Sequence, residues 1–181
     1  MQKRTLAAAL SLAVAITAPL AAQSVMGDMH RDVNEVQKKM IDLANAIPAD
    51  KFNWRPAPGA RSIAEVLLHI TGENYSIPAF MGKAVPPSSG IGNGDEKAMA
   101  AFEARKVSKE QLIAELTTSF TNLHQGMGLT TDQNLGEMIK FFGQDWSRSR
   151  AMVLTVTHIH EHLGQLIAYA RSNNVTPPWS R

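Results

Sequence analysis

Apolar residues recur every three or four positions along four long stretches of the chain, which is the pattern of amphipathic helices. The first stretch predicts a helix from about Asp28 to Ala46, which Pro48 ends. The core face of this helix carries Val33, Val36, Met40, Leu43 and Ile47. No stretch shows a convincing strand pattern, so the chain is predicted to be all-α.

A capping box opens the second predicted helix. The side chains of Ser62 and Glu65 stand at the spacing that satisfies free backbone N–H groups in a first helical turn. The helix is predicted to reach about Ser76, before Pro78. His69 lies at the edge of its apolar face.

A connection rich in proline, serine and glycine, from Met81 to Gly94, separates the second and third long helices. A connection of this length is typical of a crossover or a lid. A short surface helix is predicted from Glu96 to Lys106. The third long helix opens with a second capping box, at Ser108 to Gln111. The last helix is predicted from about Asp145 to Ser172. The predicted architecture is a four-helix bundle with one long crossover connection, which can build metal sites between facing helices.

The first 22 residues have the layout of a secretory signal peptide. Lys3 and Arg4 form a short basic region, Leu6 to Ile16 is almost entirely apolar, and small residues follow at Ala21 and Ala22. The apolar run is short for a membrane span. We therefore expect an exported protein, periplasmic or secreted, with residues 23–181 as one mature domain and no membrane contact after cleavage. An uncleaved N-terminal anchor is the alternative.

The net charge and the absence of cysteine exclude several classes of partner and of functional site. The chain has 18 basic and 16 acidic residues, and two of the basic ones lie in the predicted signal, so the mature domain is close to neutral. No basic cluster suits a phosphate backbone, which argues against nucleic acid as a partner. The absence of cysteine excludes disulfides, thiolate ligands and a cysteine nucleophile. Any chemistry must use nitrogen and oxygen groups.

Two histidines stand at i and i+4 on the inward stripe of the last helix, where apolar residues would be expected. His158 and His162 can hold one metal ion from a single helix face, whereas His160 points to roughly the opposite side. Gln165 and Tyr169 lie further along the same stripe and are candidates to line a pocket.

A two-ligand site needs a third ligand, and His69 on the second helix is the best candidate. Three histidines with one open position suit a catalytic divalent metal, for which Zn²⁺ or Ni²⁺ is favoured and Fe²⁺ or Mn²⁺ would also accept imidazole. The alternative is that all three are hydrogen-bonded core residues.

Two glutamates are candidates for a base or for a partner of a metal ligand. Glu73 follows His69 by one helical turn, and Glu161 precedes His162 but is expected to face solvent. His30 and His124 have no partner in register and are predicted to be surface residues.

Several short motifs, in their order and spacing, resemble the DinB superfamily of four-helix bundles. They are Ile47-Pro48, Phe52-Asn53-Trp54-Arg55-Pro56, Arg61 to His69, His158-x-x-x-His162-x-Gly164-Gln165-Leu166 with Tyr169 and Arg171, and Val175 to Pro178. The resemblance implies a divalent metal bound by His69, His158 and His162, with open positions for water. It also implies that Trp54, Arg55 and Arg61 pack the first connection against the bundle, and that characterised relatives transfer or isomerise substrates with small thiols.

These observations leave three functional hypotheses. The first is a metal-dependent hydrolase or transferase acting on an unidentified small molecule, with the Met81–Gly94 loop covering the pocket. The second is a non-catalytic exported bundle in which a metal has a structural role or a ligand is bound. The third is a bundle with three unrelated core histidines and no metal. Homodimerisation is compatible with each of them.

Overall fold

The computed structural model describes residues 24–91 and 95–180. The predicted signal peptide, residues 1–22, lies outside the described residues. Within the described ranges, no helix combines the length and the apolar character needed to cross a bilayer.

The described chain is helical apart from one small hairpin, which confirms the predicted fold class. Its helices are α1 (Val25–Ala46), α2 (Ile63–Phe80), α3 (Glu96–Glu103), α4 (Lys109–Met127) and α5 (Arg148–Ser172). Single 3₁₀ turns follow α1 at Ala49–Lys51 and α2 at Pro87–Ser89. The four long helices form the bundle, with α2 packed on α4 and α5, and α1 packed on α5 and α4.

The predicted capping box of α2 is complete, whereas α4 has the serine half of its predicted box among the described hydrogen bonds. The Ser62 hydroxyl accepts a hydrogen bond from the Glu65 backbone N–H at 3.3 Å, and the Glu65 carboxylate accepts one from the Ser62 N–H at 2.8 Å. The Ser108 hydroxyl accepts from the Gln111 N–H at 3.2 Å. Caps that the sequence reading missed, at Ser24 and Ser147, set the starts of α1 and α5. As a result α1 begins three residues earlier than predicted, and α5 three residues later.

The predicted end of α2 before Pro78 is wrong, since the helix continues to Phe80. A proline in a helix leaves the carbonyl four residues earlier without its N–H donor. Here that carbonyl belongs to Asn74, and the buried Asn122 side chain of α4 donates to it at 3.0 Å. A tertiary contact therefore replaces the missing backbone hydrogen bond.

Helices α2 and α4 come into close contact where Gly126 faces Pro78. A Cβ atom added at Gly126 would lie 2.3 Å from the Pro78 Cβ atom. We expect Gly126→Ala to lower the free energy of unfolding by about 2 kcal/mol, because overpacking outweighs the helix propensity of alanine. For a domain of this size the melting temperature should fall by roughly 4–8 °C.

Gly164 on α5 is the matched control, since an added Cβ there meets nothing within 4 Å. Gly164→Ala should leave stability unchanged or raise it by up to about 1 kcal/mol. Urea unfolding of both variants checks the prediction. Equal free energies of unfolding for the two variants would contradict the close contact between Gly126 and Pro78.

A β-hairpin precedes α5, where no strand was expected. Strands β1 (Met138–Phe141) and β2 (Gln144–Ser147) pair antiparallel across a turn at Phe142 and Gly143, both of which have positive φ angles of 47° and 77°. Such turns suit the twist of a hairpin but usually carry Asn-Gly. With phenylalanine in that place and only four residues in each strand, the sequence signal is weak. The buried Phe141 ring stacks on Trp146, with centroids 4.9 Å apart, and anchors the hairpin.

The expectation that His30 and His124 are unpartnered surface residues is also wrong. Both are half-buried between α1 and α4, and their Nδ1 atoms lie 3.4 Å apart. His124 Nε2 contacts the Gln37 side-chain oxygen at 3.0 Å. Burial, together with the charge of His30, lowers the pKa of His124. His124 therefore favours the neutral state in the folded protein.

Candidate metal centre

Three histidines from two helices meet inside the bundle. His69 of α2 and His158 and His162 of α5 each offer one ring nitrogen within 4.8 Å of the others. His69 and His162 are both 8% exposed. His160 is exposed, and its Nδ1 atom lies 2.7 Å from the Val156 carbonyl oxygen of its own helix. The two-helix cluster has the composition predicted from residue spacing, and His160 lies outside it.

The His69 ring is oriented by a glutamate from α3. Its Nδ1 atom lies 2.6 Å from Glu103 Oε1. An ionised carboxylate only accepts hydrogen bonds, so the imidazole proton is on Nδ1. The Nε2 lone pair of His69 is therefore available to a metal.

The His162 ring is oriented by a chain of hydrogen bonds along α5. Gln165 Nε2 donates to the Tyr169 hydroxyl at 2.9 Å, so the other atom of the amide group, Oε1, faces His162 Nδ1 at 2.8 Å. His162 Nδ1–H must donate, which leaves Nε2 free. The Trp54 ring packs edge-on against Tyr169, with centroids 5.3 Å apart. Gln165 and Tyr169 thus act on the site by orienting the ring of His162, and their lining of a pocket stays a prediction.

His158 provides the test of whether the site fits a metal. Among the described residues, its Nε2 atom is the buried side-chain nitrogen or oxygen without a hydrogen bond. Its neighbour is Glu73 Oε2, 2.5 Å away, which forms an ion pair with His158 when the imidazole is protonated. A divalent ion could take the place of the proton on this nitrogen, and the other two histidines offer ring nitrogens within 4.8 Å.

Glu73 lies between two of the three histidines. Its Oε1 atom is 3.4 Å from His69 Nε2, and its other oxygen contacts His158. Burial favours a higher pKa for Glu73, but the contact with His158 and the charges of His158 and His69 outweigh it, so the pKa lies below its ordinary value. Glu73 is therefore an ionised carboxylate next to the ligand atoms.

The contact between Glu73 and His158 raises the pKa of His158, whereas it lowers that of Glu73. Burial acts to lower the pKa of His158, but the adjacent Glu73 carboxylate more than offsets it, so that pKa is raised. Burial lowers the pKa of His162, despite its hydrogen bond with Gln165. A metal would compete with a proton at His158 and find His162 neutral.

Glu161, the other acidic candidate, is exposed at the surface of α5. It acts on the site through its charge, which raises the pKa of His158. Its role stays a prediction, and Glu73 is the better placed of the two.

The main site residue that sequence reasoning missed is Glu103, at the end of α3. It is 34 residues from His69 in the chain, across the long connection. A usable signal did exist, because Met99, Phe102 and Glu103 have the i, i+3, i+4 spacing of one helix face. Phe102 is buried, so α3 is not the plain surface helix that was predicted.

The described part of the Met81–Gly94 loop packs against α4. Lys83, Pro86 and Ser88 line a cavity of about 330 Å³ against Thr117 and Thr121 of α4. Helix α3 contacts His69 through Glu103, and covering of the site by the loop stays a prediction.

The first connection packs against the bundle through all three predicted residues. Arg55 donates to the Ala60 carbonyl at 2.8 Å and to Glu65 at 2.9 Å, which braces the turn before α2. Arg61 Nε donates to Glu103 Oε2 at 3.1 Å, so this arginine also reaches the partner of a candidate metal ligand.

Comparison with known proteins agrees with the motifs and the fold. A family model described as the DinB superfamily matches residues 33–166. A crystal structure of a DinB-like protein from Bacillus cereus is similar with a TM-score of 0.67 at 16% identity, covering 88% of this chain and 99% of that one. A conserved protein from Enterococcus faecalis gives 0.66 at 15% identity, with 83% and 97% covered.

An uncharacterised protein from Escherichia coli gives a TM-score of 0.60 at 17% identity, covering 83% of this chain and 95% of its own. At these identities the similarity of structure concerns the fold. Comparison with the curated proteins finds no match.

Proposed function

This chain belongs to the DinB superfamily, and we propose that it is a divalent-metal-dependent hydrolase or transferase that acts on a small molecule. The observation that carries the proposal is the convergence of ring nitrogens from His69, His158 and His162. The buried Nε2 atom of His158 is the second support, because its neighbour is the Glu73 carboxylate and a metal could take the place of the proton between them.

The three histidines would hold the metal, and Glu103 and Gln165 would keep two of them in the correct tautomer. A divalent metal with an open position supplies Lewis acidity that activates water or a thiol near neutral pH. Glu73 would take the proton from the attacking group, because its carboxylate is ionised and lies beside two ligand nitrogens. The side chains of Glu73 and His158 are 20% and 21% exposed, so a substrate would approach from their side.

Zn²⁺ or Ni²⁺ is the proposed metal, and Fe²⁺ or Mn²⁺ would also accept three imidazoles. Water is the proposed nucleophile. If residues 1–22 direct export, the mature protein acts in the periplasm or outside the cell, where cytosolic thiols are scarce.

A non-catalytic role has one specific observation in its favour. The Glu73 oxygens are close enough to His69 and His158 to complete a four-ligand site with the three histidines. A structural metal is closed in this way, whereas a catalytic metal keeps an open position. The two functions therefore differ in one measurable property.

Cobalt(II) titration of the metal-free protein tests the proposal, since the visible spectrum of cobalt(II) reports its coordination. We expect uptake of about one ion per chain, followed by a spectral change on addition of azide. Uptake without a response to azide would favour the structural role. Uptake below about a tenth of an ion per chain, with Zn²⁺ and Ni²⁺ giving the same result, would overturn the metal site itself.

A further inference from the structure

Both carboxylate oxygens of Glu103 are in use. Oε1 lies 2.6 Å from His69 Nδ1, and Oε2 accepts from Arg61 Nε at 3.1 Å. The Glu103 side chain is 18% exposed, whereas that of Arg61 is 43% exposed. The arginine therefore holds the carboxylate from the solvent side while the histidine holds it from the interior.

A glycine on α2 faces the side chains of α3. Gly72 follows His69 by three residues, and a Cβ atom added there would lie 2.7 Å from Met99 Cε and 3.3 Å from Phe102 Cδ1. Glycine inside a helix is unfavourable by about 1 kcal/mol relative to alanine. At this position the missing side chain leaves the space that Met99 and Phe102 occupy, and Glu103 follows directly.

We propose that Glu103 is a positioning residue for the metal ligand His69, and that α3 and Arg61 hold the Glu103 carboxylate in place. A carboxylate that accepts the second ring N–H of a ligand histidine fixes its tautomer, restricts its rotation and makes it a stronger base toward the metal. The inference rests on the proposed function, because it needs a metal at the three histidines.

The arrangement couples two parts of the chain that are distant in sequence. If docked α3 strengthens metal binding through Glu103, then bound metal must strengthen α3 docking by the same free energy. Metal should therefore slow amide hydrogen exchange in Glu96–Glu103, although α3 supplies no metal ligand.

The test compares the Zn²⁺ affinity of the full mature chain and its variants, measured by competition with a chelating dye. Glu103→Ala should weaken binding by about 10–100-fold, the usual cost of losing such a partner. Glu103→Gln should recover part of the loss, because an amide oxygen still accepts from His69 Nδ1–H. The matched control is Glu96→Ala, an exposed acid at the other end of α3, which should bind like the wild type.

A second readout separates positioning from general packing. In the cobalt(II) protein, the Nδ1–H of a metal-bound histidine gives a shifted proton signal that survives exchange with water only when that N–H is hydrogen-bonded. We expect the His69 signal to be lost in Glu103→Ala and kept in Glu103→Gln. Arg61→Gln, at an exposed side chain, serves as the milder variant and should weaken Zn²⁺ binding in the same direction.

The outcomes are distinguishable. If the wild type takes up no metal, the proposed function fails and this inference fails with it. If the wild type binds Zn²⁺ and Glu103→Ala binds within about twofold of it, against the expected 10–100-fold loss, the positioning role is overturned alone. A loss of affinity with an unchanged proton signal and no recovery in Glu103→Gln would also overturn it, since only packing would have changed.

Discussion

Replacement of His162 by alanine is expected to abolish stoichiometric metal binding. His162 is 8% exposed and its ring is already oriented by Gln165, so it offers the metal a nitrogen with little ordering cost. The two histidines that remain come from different helices and cannot complete a tight site. Metal content should fall from about one ion per chain to less than about a tenth of an ion.

His160→Ala is the matched control, because it removes an imidazole from the same helix at an exposed position outside the cluster. Its metal content should equal that of the wild type. His69→Ala and His158→Ala should behave like His162→Ala. The measurement is plasma mass spectrometry of untagged protein, with circular dichroism to check folding. Full metal content in a folded His162→Ala variant would show that the ion is bound elsewhere.

Glu73→Gln should slow turnover by about 100-fold or more while the metal stays bound. Glutamine has nearly the same size as glutamate, but its amide cannot take a proton from the attacking group. The three histidines remain, so metal content should be retained. Hydrolysis of p-nitrophenyl acetate by the Zn²⁺-loaded protein is the measurement, with metal content determined on the same samples.

Glu161→Gln is the control for this experiment, since it removes the same charge from an exposed position next to His162 in the chain. It should change the rate by less than about threefold, because a solvent-facing carboxylate near a site acts only through a screened charge. Loss of metal in Glu73→Gln would identify Glu73 as a ligand and support the structural role. A greater loss of rate in Glu161→Gln than in Glu73→Gln would reverse the two assignments.

The secondary structure was predictable where its causes are local. A capping box such as Ser62 and Glu65 works within one helical turn, and the structure contains it as the sequence predicted. Where a distant residue intervened, the prediction failed. Helix α2 continues past Pro78 because Asn122 of another helix satisfies the carbonyl that the proline leaves free.

The candidate site divides in the same way. The sequence by itself determined that His158 and His162 share one face, because helical geometry places residues i and i+4 together whatever the rest of the chain does. The meeting of His69 with that pair requires the packing of α2 on α5, and the approach of Glu103 requires the packing of α3 on α2. Such contacts join residues far apart in the chain, and their free energy depends on how whole helices pack. Only the tertiary structure could decide them.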